Sequence, residues 1–128
     1  MRLKDMLATA NAVVERIDAA AAQALVDNGA LMVDIRDAPE LERVGRVVGS
    51  HHVPRGMLEF RADPDSPFAD EAFSFDRPVV LHCASGGRAA LAGKMLKDMG
   101  FEKVYNLGGF KDWKDSGGAV EEPVDPGM

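Results

Sequence analysis

The sequence predicts an α/β fold in which helices cover both faces of a parallel sheet. Two short apolar runs, residues 31–35 and 78–82, have the length and the aliphatic content of buried strands. After the second run, Leu91, Met95 and Met99 recur at helical spacing, with charged residues on the other faces. Strands that alternate with helices are typical of parallel sheets, because the helices provide the crossover connections.

The other elements are predicted from capping residues and from shorter apolar runs. Capping and proline signals delimit further helices, which cover about residues 2–13, Asp18 to Gly29, Pro39 to Val44 and Phe110 to Ser116. Two short strands are predicted at 50–53 and 104–107, and a single helical turn is predicted around Met57 and Leu58.

All 128 residues belong to one predicted domain, because the chain has no internal repeat and its length suits a single core. The core is expected over about 14–121, preceded by the N-terminal helix at about 2–13. Residues 122–128 contain two prolines and are expected to form a flexible tail.

Composition and charge exclude two classes of partner. The formal net charge is −6, from 21 acidic against 15 basic residues, and lysine and arginine form no continuous run. A sequence-independent nucleic-acid binder needs a basic stripe, so no nucleic acid is expected. No segment is long and apolar enough to span a membrane, and the start of the chain lacks the apolar run of a signal peptide. We therefore expect no membrane contact and a cytoplasmic location.

Cys83 is the only cysteine, which excludes an intramolecular disulfide and a Cys-x-x-Cys redox pair. A lone cysteine also agrees mildly with a reducing compartment. With three histidines, of which His51 and His52 are adjacent, a single thiol does not readily complete a structural zinc site. We expect no metal and no cofactor.

The segment from Cys83 to Arg88, called the cysteine loop below, is the strongest candidate site. It follows a predicted strand and precedes a predicted helix, which is where ligands bind in open α/β sheets. Glycine backbones can turn successive N–H groups inward to form an anion nest, and the helix N-terminus favours negative charge. The candidate anion-binding residues are Ala84, Ser85, Gly86, Gly87 and Arg88. We expect this environment to stabilise a Cys83 thiolate as a nucleophile, although free cysteines often only fill space at strand ends.

Three residues near the predicted strand ends have alternative interpretations. Arg36 either binds an anionic donor or forms an ion pair with Glu40 or another surface carboxylate. Asp34 is expected to anchor the strand end or the neighbouring loop. His82 precedes Cys83 on a strand, so its side chain should point to the other face and be packed and hydrogen-bonded.

Four segments resemble, in order, the motifs of the rhodanese family of thiosulfate sulfurtransferases. Residues 33–37 with Glu40 resemble D-x-R-[ED], and residues 45–54 resemble G-[HR]-I-P-G-A-x-x-[IV]-P. The cysteine loop resembles C-x-x-G-x-R, and residues 108–120 resemble G-G-x-x-x-W…G-x-P-[VI]. The match covers about residues 14 to 121. Departures from the pattern fall at Val48, Ser50, Gly87 and Ala119. The first two are expected to change loop rigidity, and Gly87 to leave the pocket mouth more open.

The resemblance implies a three-layer fold with a parallel five-stranded sheet and a two-step sulfur transfer. An anionic donor such as thiosulfate gives its outer sulfur to Cys83. The resulting persulfide passes that sulfur to a thiophilic acceptor, either cyanide, a small thiol or a protein thiol.

Two other functions compete with this one. A sulfur-relay or docking module would serve a protein partner, but a docking module alone needs neither Cys83, Gly86 nor Arg88. Phosphatases with a related cradle use a seven-residue C-x5-R loop, whereas the loop here has six residues.

Overall fold

A five-stranded parallel sheet forms the centre of the computed structural model, which describes residues 1–122. The strands of the chain are β1 Glu15–Arg16, β2 Leu31–Asp34, β3 Arg46–Val47, β4 His51–His52, β5 Val79–Cys83, β6 Val104–Gly109 and β7 Val120–Glu121. Five of them pair in the order β1-β6-β5-β2-β4, with β5 in the middle. The predicted α/β class and the parallel five-stranded sheet are confirmed.

Six helices and one short 3₁₀ turn surround the sheet. The helices are α1 Leu3–Val13, α2 Ala19–Asp27, α3 Ala38–Val44, α4 Leu58–Ala62, α5 Gly87–Met99 and α6 Phe110–Asp115, and the 3₁₀ turn is Arg55–Met57. They agree with the predicted helices, except that the turn expected near Met57 and Leu58 continues as α4. No helix within residues 1–122 has the length and apolar character needed to cross a membrane. Most of the expected tail at 122–128 lies outside the described residues.

Alternate residues of the central strands bury their side chains in two apolar clusters, one on each face of the sheet. Val33, Leu81 and Cys83 belong to the cluster that α4 and α5 cover. Met32 and Val80 belong to the cluster that α2 and α6 cover. This alternation assigns Cys83 to the α5 face of the sheet.

Three short strands were not predicted, because their residues do not form apolar runs. β1 consists of the exposed residues Glu15 and Arg16, and it joins the sheet only through its pairing with β6. β3 and β7 form a separate antiparallel pair, in which Arg46 lies opposite Glu121. Strands of two residues are too short to show the alternation of apolar and polar residues that predicts a strand.

Candidate active site

Cys83 is the last residue of β5, so its side chain stands at the carboxyl end of the central strand. It is fully buried on the face that α5 covers. The chain turns through residues 84–86 and enters α5 at Gly87. The thiol therefore lies directly before the N-terminus of a 13-residue helix, where the helix dipole favours negative charge.

Gly86 links the backbone of the cysteine loop to the Cys83 thiol by a hydrogen bond. Its N–H donates a hydrogen bond to Cys83 Sγ at 3.0 Å. Its φ of +104° lies in the left-handed region, which favours glycine. A Cβ there would lie 3.1 Å from Gly108 Cα. Gly87, by contrast, begins α5 without a positive φ, so only one of the two predicted glycines is required by the backbone conformation.

The backbone of the cysteine loop supplies further hydrogen-bond donors. Within residues 1–122, the N–H groups of Ser85, Gly87, Arg88 and Ala89 have no assigned acceptor. Three of these belong to the first turn of α5, whose N–H groups have no intrahelical partner. Ala84 and Ser85 are exposed at the top of the loop. The residues that directly follow Cys83 thus carry several unpaired donors.

The guanidinium of Arg88, one of the candidate anion-binding residues, is paired with a carboxylate in this structure. Both Nη atoms donate to the Glu40 carboxylate on α3, at 2.9 and 2.8 Å. These hydrogen bonds lower the pKa of Glu40 to about 2 and raise the pKa of Arg88. The charge on Cys83 also raises the Arg88 pKa, to a smaller extent. Arg88 and Cys83 are thus close enough to interact electrostatically.

Arg36 is buried and forms its ion pair with the buried Asp34, whereas the ion-pair interpretation names Glu40 or another surface carboxylate. Its Nε and Nη2 atoms donate to Asp34, and Nη2 also donates to the Gly45 carbonyl. The guanidinium lies 4.6 Å from the centre of the Phe110 ring. Burial raises the pKa of Asp34, but the hydrogen bonds from Arg36 outweigh it and hold that pKa below its usual value. Asp34 anchors the strand end, as expected, and its partner is Arg36.

His82 is packed on the opposite face from Cys83, as predicted, but it is not hydrogen-bonded. Neither ring nitrogen has a hydrogen-bond partner within the described residues. Asp34 Oδ2 is 3.9 Å from Nε2, which is too long for a hydrogen bond. Burial lowers the pKa of His82 to about 4, so the imidazole is neutral at pH 7.

Asn106 on β6 supports the cysteine loop, and sequence reading missed it. Its Nδ2 donates to the Gly86 carbonyl at 3.0 Å, and its Oδ1 accepts from the Gly108 N–H at 2.8 Å. The side chain is buried. The signal that could have identified Asn106 is its polar side chain within the apolar run 104–107, which is followed by two glycines.

Comparisons with known proteins identify the family of this chain. A model of the rhodanese-like domain matches residues 18–116. The chain belongs to the rhodanese-like family. The thiosulfate sulfurtransferase GlpE of Ectopseudomonas mendocina is 35% identical to this rhodanese-like chain over 102 residues, which cover 78% of the chain and 84% of that protein. The thiosulfate sulfurtransferase GlpE of Pseudomonas aeruginosa strain LESB58 is also 35% identical over 102 residues, with the same coverage.

Two solved structures share the rhodanese-like fold over nearly the whole chain. The polysulfide-sulfur transferase homodimer of Wolinella succinogenes has a TM-score of 0.76 at 28% identity, covering 98% of this chain and 90% of that chain. A Rhodopseudomonas palustris protein of unknown function, described as a possible tyrosine phosphatase, has a TM-score of 0.86 at 45% identity. That match covers 94% of this chain and 95% of that chain.

The site of this rhodanese-like chain combines a single thiol with neutral hydrogen-bond donors. The Cys83 thiol accepts from the Gly86 N–H, and other N–H groups of the cysteine loop have no acceptor within residues 1–122. Within residues 1–122, His, Cys, Asp and Glu side chains form no group of three or more that could hold a metal ion.

Proposed function

We propose that this chain is a sulfurtransferase that carries a sulfane sulfur as a persulfide on Cys83. The donor is an anion such as thiosulfate, and the acceptor is cyanide or a thiol. The observation that carries the proposal is the cysteine loop, in which Gly86 donates to Sγ while neighbouring N–H groups remain without an acceptor. Membership of a family that includes named thiosulfate sulfurtransferases supports the choice of donor.

Each half-reaction exchanges one bond to the transferred sulfur for another. In the first, the Cys83 thiolate attacks the outer sulfur of thiosulfate, the bond between the two sulfurs of thiosulfate breaks, and sulfite leaves with the electron pair. The product is a Cys83 persulfide whose outer sulfur is an anion. In the second, the acceptor attacks that outer sulfur and the Cys83 thiolate leaves. Covalent catalysis of this kind needs one nucleophile and no second cysteine.

The cysteine loop supports both half-reactions because it binds negative charge with neutral groups. The thiolate, the persulfide and the departing sulfite are all anions. Hydrogen bonds from N–H groups to charged acceptors contribute about 1.5–3 kcal/mol each. The helix dipole of α5 adds about 0.3–1 kcal/mol at its N-terminus. These donors are fixed before the reaction, so they need no reorganisation when charge moves to the outer sulfur.

Phosphate-ester hydrolysis is less compatible with this loop. Six residues from Cys83 to Arg88 enclose a smaller space than a seven-residue C-x5-R loop. The guanidinium that would bind phosphate oxygens is held by Glu40. We therefore expect slow or no hydrolysis of p-nitrophenyl phosphate.

Intact mass spectrometry tests the proposal directly. Wild-type protein incubated with thiosulfate should gain one reducible sulfur atom, about 32 Da, and Cys83→Ser should gain none. Cyanide should then remove the added mass from the wild-type protein and yield thiocyanate.

The control reactions separate the competing functions. An added sulfur that only a protein thiol removes would favour a relay module over a small-molecule enzyme. No adduct from thiosulfate or from polysulfide would overturn the proposal. Hydrolysis of p-nitrophenyl phosphate that requires Cys83 would replace it with phosphatase activity.

A further inference from the structure

Arg16 lies on the same face of the sheet as Cys83. It ends β1 and pairs with Asn106 on β6, which in turn pairs with Leu81 on β5. Paired residues of parallel strands point to the same face, and Cys83 lies two positions beyond Leu81. The side chains of Arg16 and Cys83 therefore project towards the face that carries the cysteine loop.

The guanidinium of Arg16 occupies a space that two glycines leave open. β6 contains a bulge at this point, because Leu81 pairs with Asn106 whereas His82 pairs with Gly108. Gly108 has a φ of +97°, and a Cβ there would overlap the guanidinium, lying 2.7 Å from Cζ. A Cβ on Gly86 would lie 3.1 Å from Arg16 Nη1. Arg16 thus packs against the residue whose N–H contacts Sγ.

The charge of Arg16 is weakly compensated compared with the other arginines near the loop. Arg88 makes a bidentate ion pair with Glu40, and the buried Arg36 is bound to Asp34. Arg16 has only Asp112 nearby within the described residues, at 3.6 Å, and the two side chains are 55% and 62% exposed. Within residues 1–122 its guanidinium donates no hydrogen bond, since the 3.6 Å distance to Asp112 is too long for one. Its donors and its charge are available to a ligand.

We propose that Arg16 is a specificity-determining residue that attracts anionic sulfur donors to the cysteine loop and holds their charged end. This proposal rests on the proposed function, from which thiosulfate is taken as the ligand. The chain as a whole is acidic, with a formal net charge of −6, so long-range attraction of a dianion is unfavourable. A local cation beside Gly86 compensates for this at the site where the donor must arrive.

Binding of thiosulfate to the Cys83→Ser protein tests this role without any sulfur transfer. The dissociation constant is measured by titration, following the amide NMR signals of Gly86 and Gly87. In the Cys83→Ser background, Arg16→Gln should weaken binding about fivefold at low ionic strength, because one charge next to a dianion is lost. The difference should shrink at about 0.5 M salt, where the Debye length is a few ångströms. Arg16→Lys should recover most of the affinity.

Lys103→Gln is the matched control, because it removes one exposed positive charge at the opposite end of β6. It should leave the dissociation constant unchanged. Equal affinities of Arg16→Gln and its parent would overturn the proposal, as would equal losses in Arg16→Gln and Arg16→Lys that do not depend on salt. Absence of any thiosulfate binding to the parent would also overturn it.

The same variants distinguish this proposal from the proposed function. In the wild-type background, Arg16→Gln should raise KM for thiosulfate while kcat changes less than about twofold. If thiosulfate binding depends on Arg16 but the wild-type protein gains no sulfur on Cys83, this proposal is supported and the proposed function is contradicted. Sulfur transfer with a KM that does not depend on Arg16 would support the proposed function and contradict this proposal.

Discussion

At the scale of single residues, Gly86 links the Cys83 thiol to α5 and β6 through hydrogen bonds. Its N–H contacts Sγ, and its carbonyl accepts from both Asn106 Nδ2 and Ala90 N. The buried amide of Asn106 also holds the Gly108 N–H in the bulge of β6. One side chain thus fixes the loop and the neighbouring strand relative to each other, as a positioning residue does.

Asn106→Leu removes the two hydrogen bonds of the Asn106 side chain and keeps its branching and its number of heavy atoms. The Gly108 N–H loses its assigned acceptor, so the free energy of unfolding should fall by about 1–3 kcal/mol. The Gly86 carbonyl keeps its bond from Ala90 but is free to shift. We expect persulfide formation on Cys83 to slow about tenfold or more, measured by quenched mass spectrometry with thiosulfate. Asn28→Leu, an exposed position after α2, is the control.

A structural role alone would give a different result. Persulfide formation at the wild-type rate in a destabilised but folded Asn106→Leu protein would show that Asn106 does not position the nucleophile.

At the scale of elements, the ion pair between Glu40 and Arg88 connects α3 to the N-terminus of α5. Glu40 Oε2 also accepts from the Asp37 N–H at the start of α3. The pair joins residues 48 positions apart beside the cysteine loop. The net charge of the pair is zero, so the electrostatic field at Cys83 depends on both partners. Removing Arg88 would leave a negative charge beside the loop, and removing Glu40 would leave a positive one.

A double-mutant cycle tests this dependence. Arg88→Gln leaves the Glu40 carboxylate uncompensated, so KM for thiosulfate should rise several-fold. Glu40→Gln leaves the Arg88 charge uncompensated, so KM should fall about two- to threefold. The double variant should return close to the wild-type KM. A KM in the double variant as high as in Arg88→Gln would mean that the arginine acts alone.

At the scale of the whole molecule, the sequence predicted those features whose signals are local. The cysteine loop lies within six consecutive residues between a strand and a helix, and the chemistry proposed for it rests on that order. Contacts between distant residues were not predicted. Asn106 is 20 positions from Gly86, and β1 is placed only by its pairing with β6. The partner of Arg36 was not predicted, because the burial that pairs it with Asp34 depends on the folded arrangement of several elements.

The stability of the molecule should depend on pH through His82, because the folded state keeps this imidazole buried and neutral. Its pKa is about 4 when folded and about 6.5 in an unfolded chain. Between these values the unfolded state binds more protons, so stability falls as pH decreases from about 6.5 to 4. The full difference is about 3 kcal/mol, and about 2 kcal/mol should be lost between pH 7 and pH 5.

Urea unfolding of the wild-type protein and of His82→Leu at about pH 7, 6 and 5 measures how the free energy of unfolding changes with pH. The pKa values of Asp34, Glu40 and Asp70 lie below their usual range in the folded protein. Their contributions are therefore lost mainly below this window. Titrating groups other than His82 contribute equally to both proteins and cancel in the comparison. Any packing cost of the substitution shifts the free energy of unfolding equally at all three pH values. The slope should be nearly absent in His82→Leu, and parallel curves for the two proteins would show that another group controls the acid sensitivity.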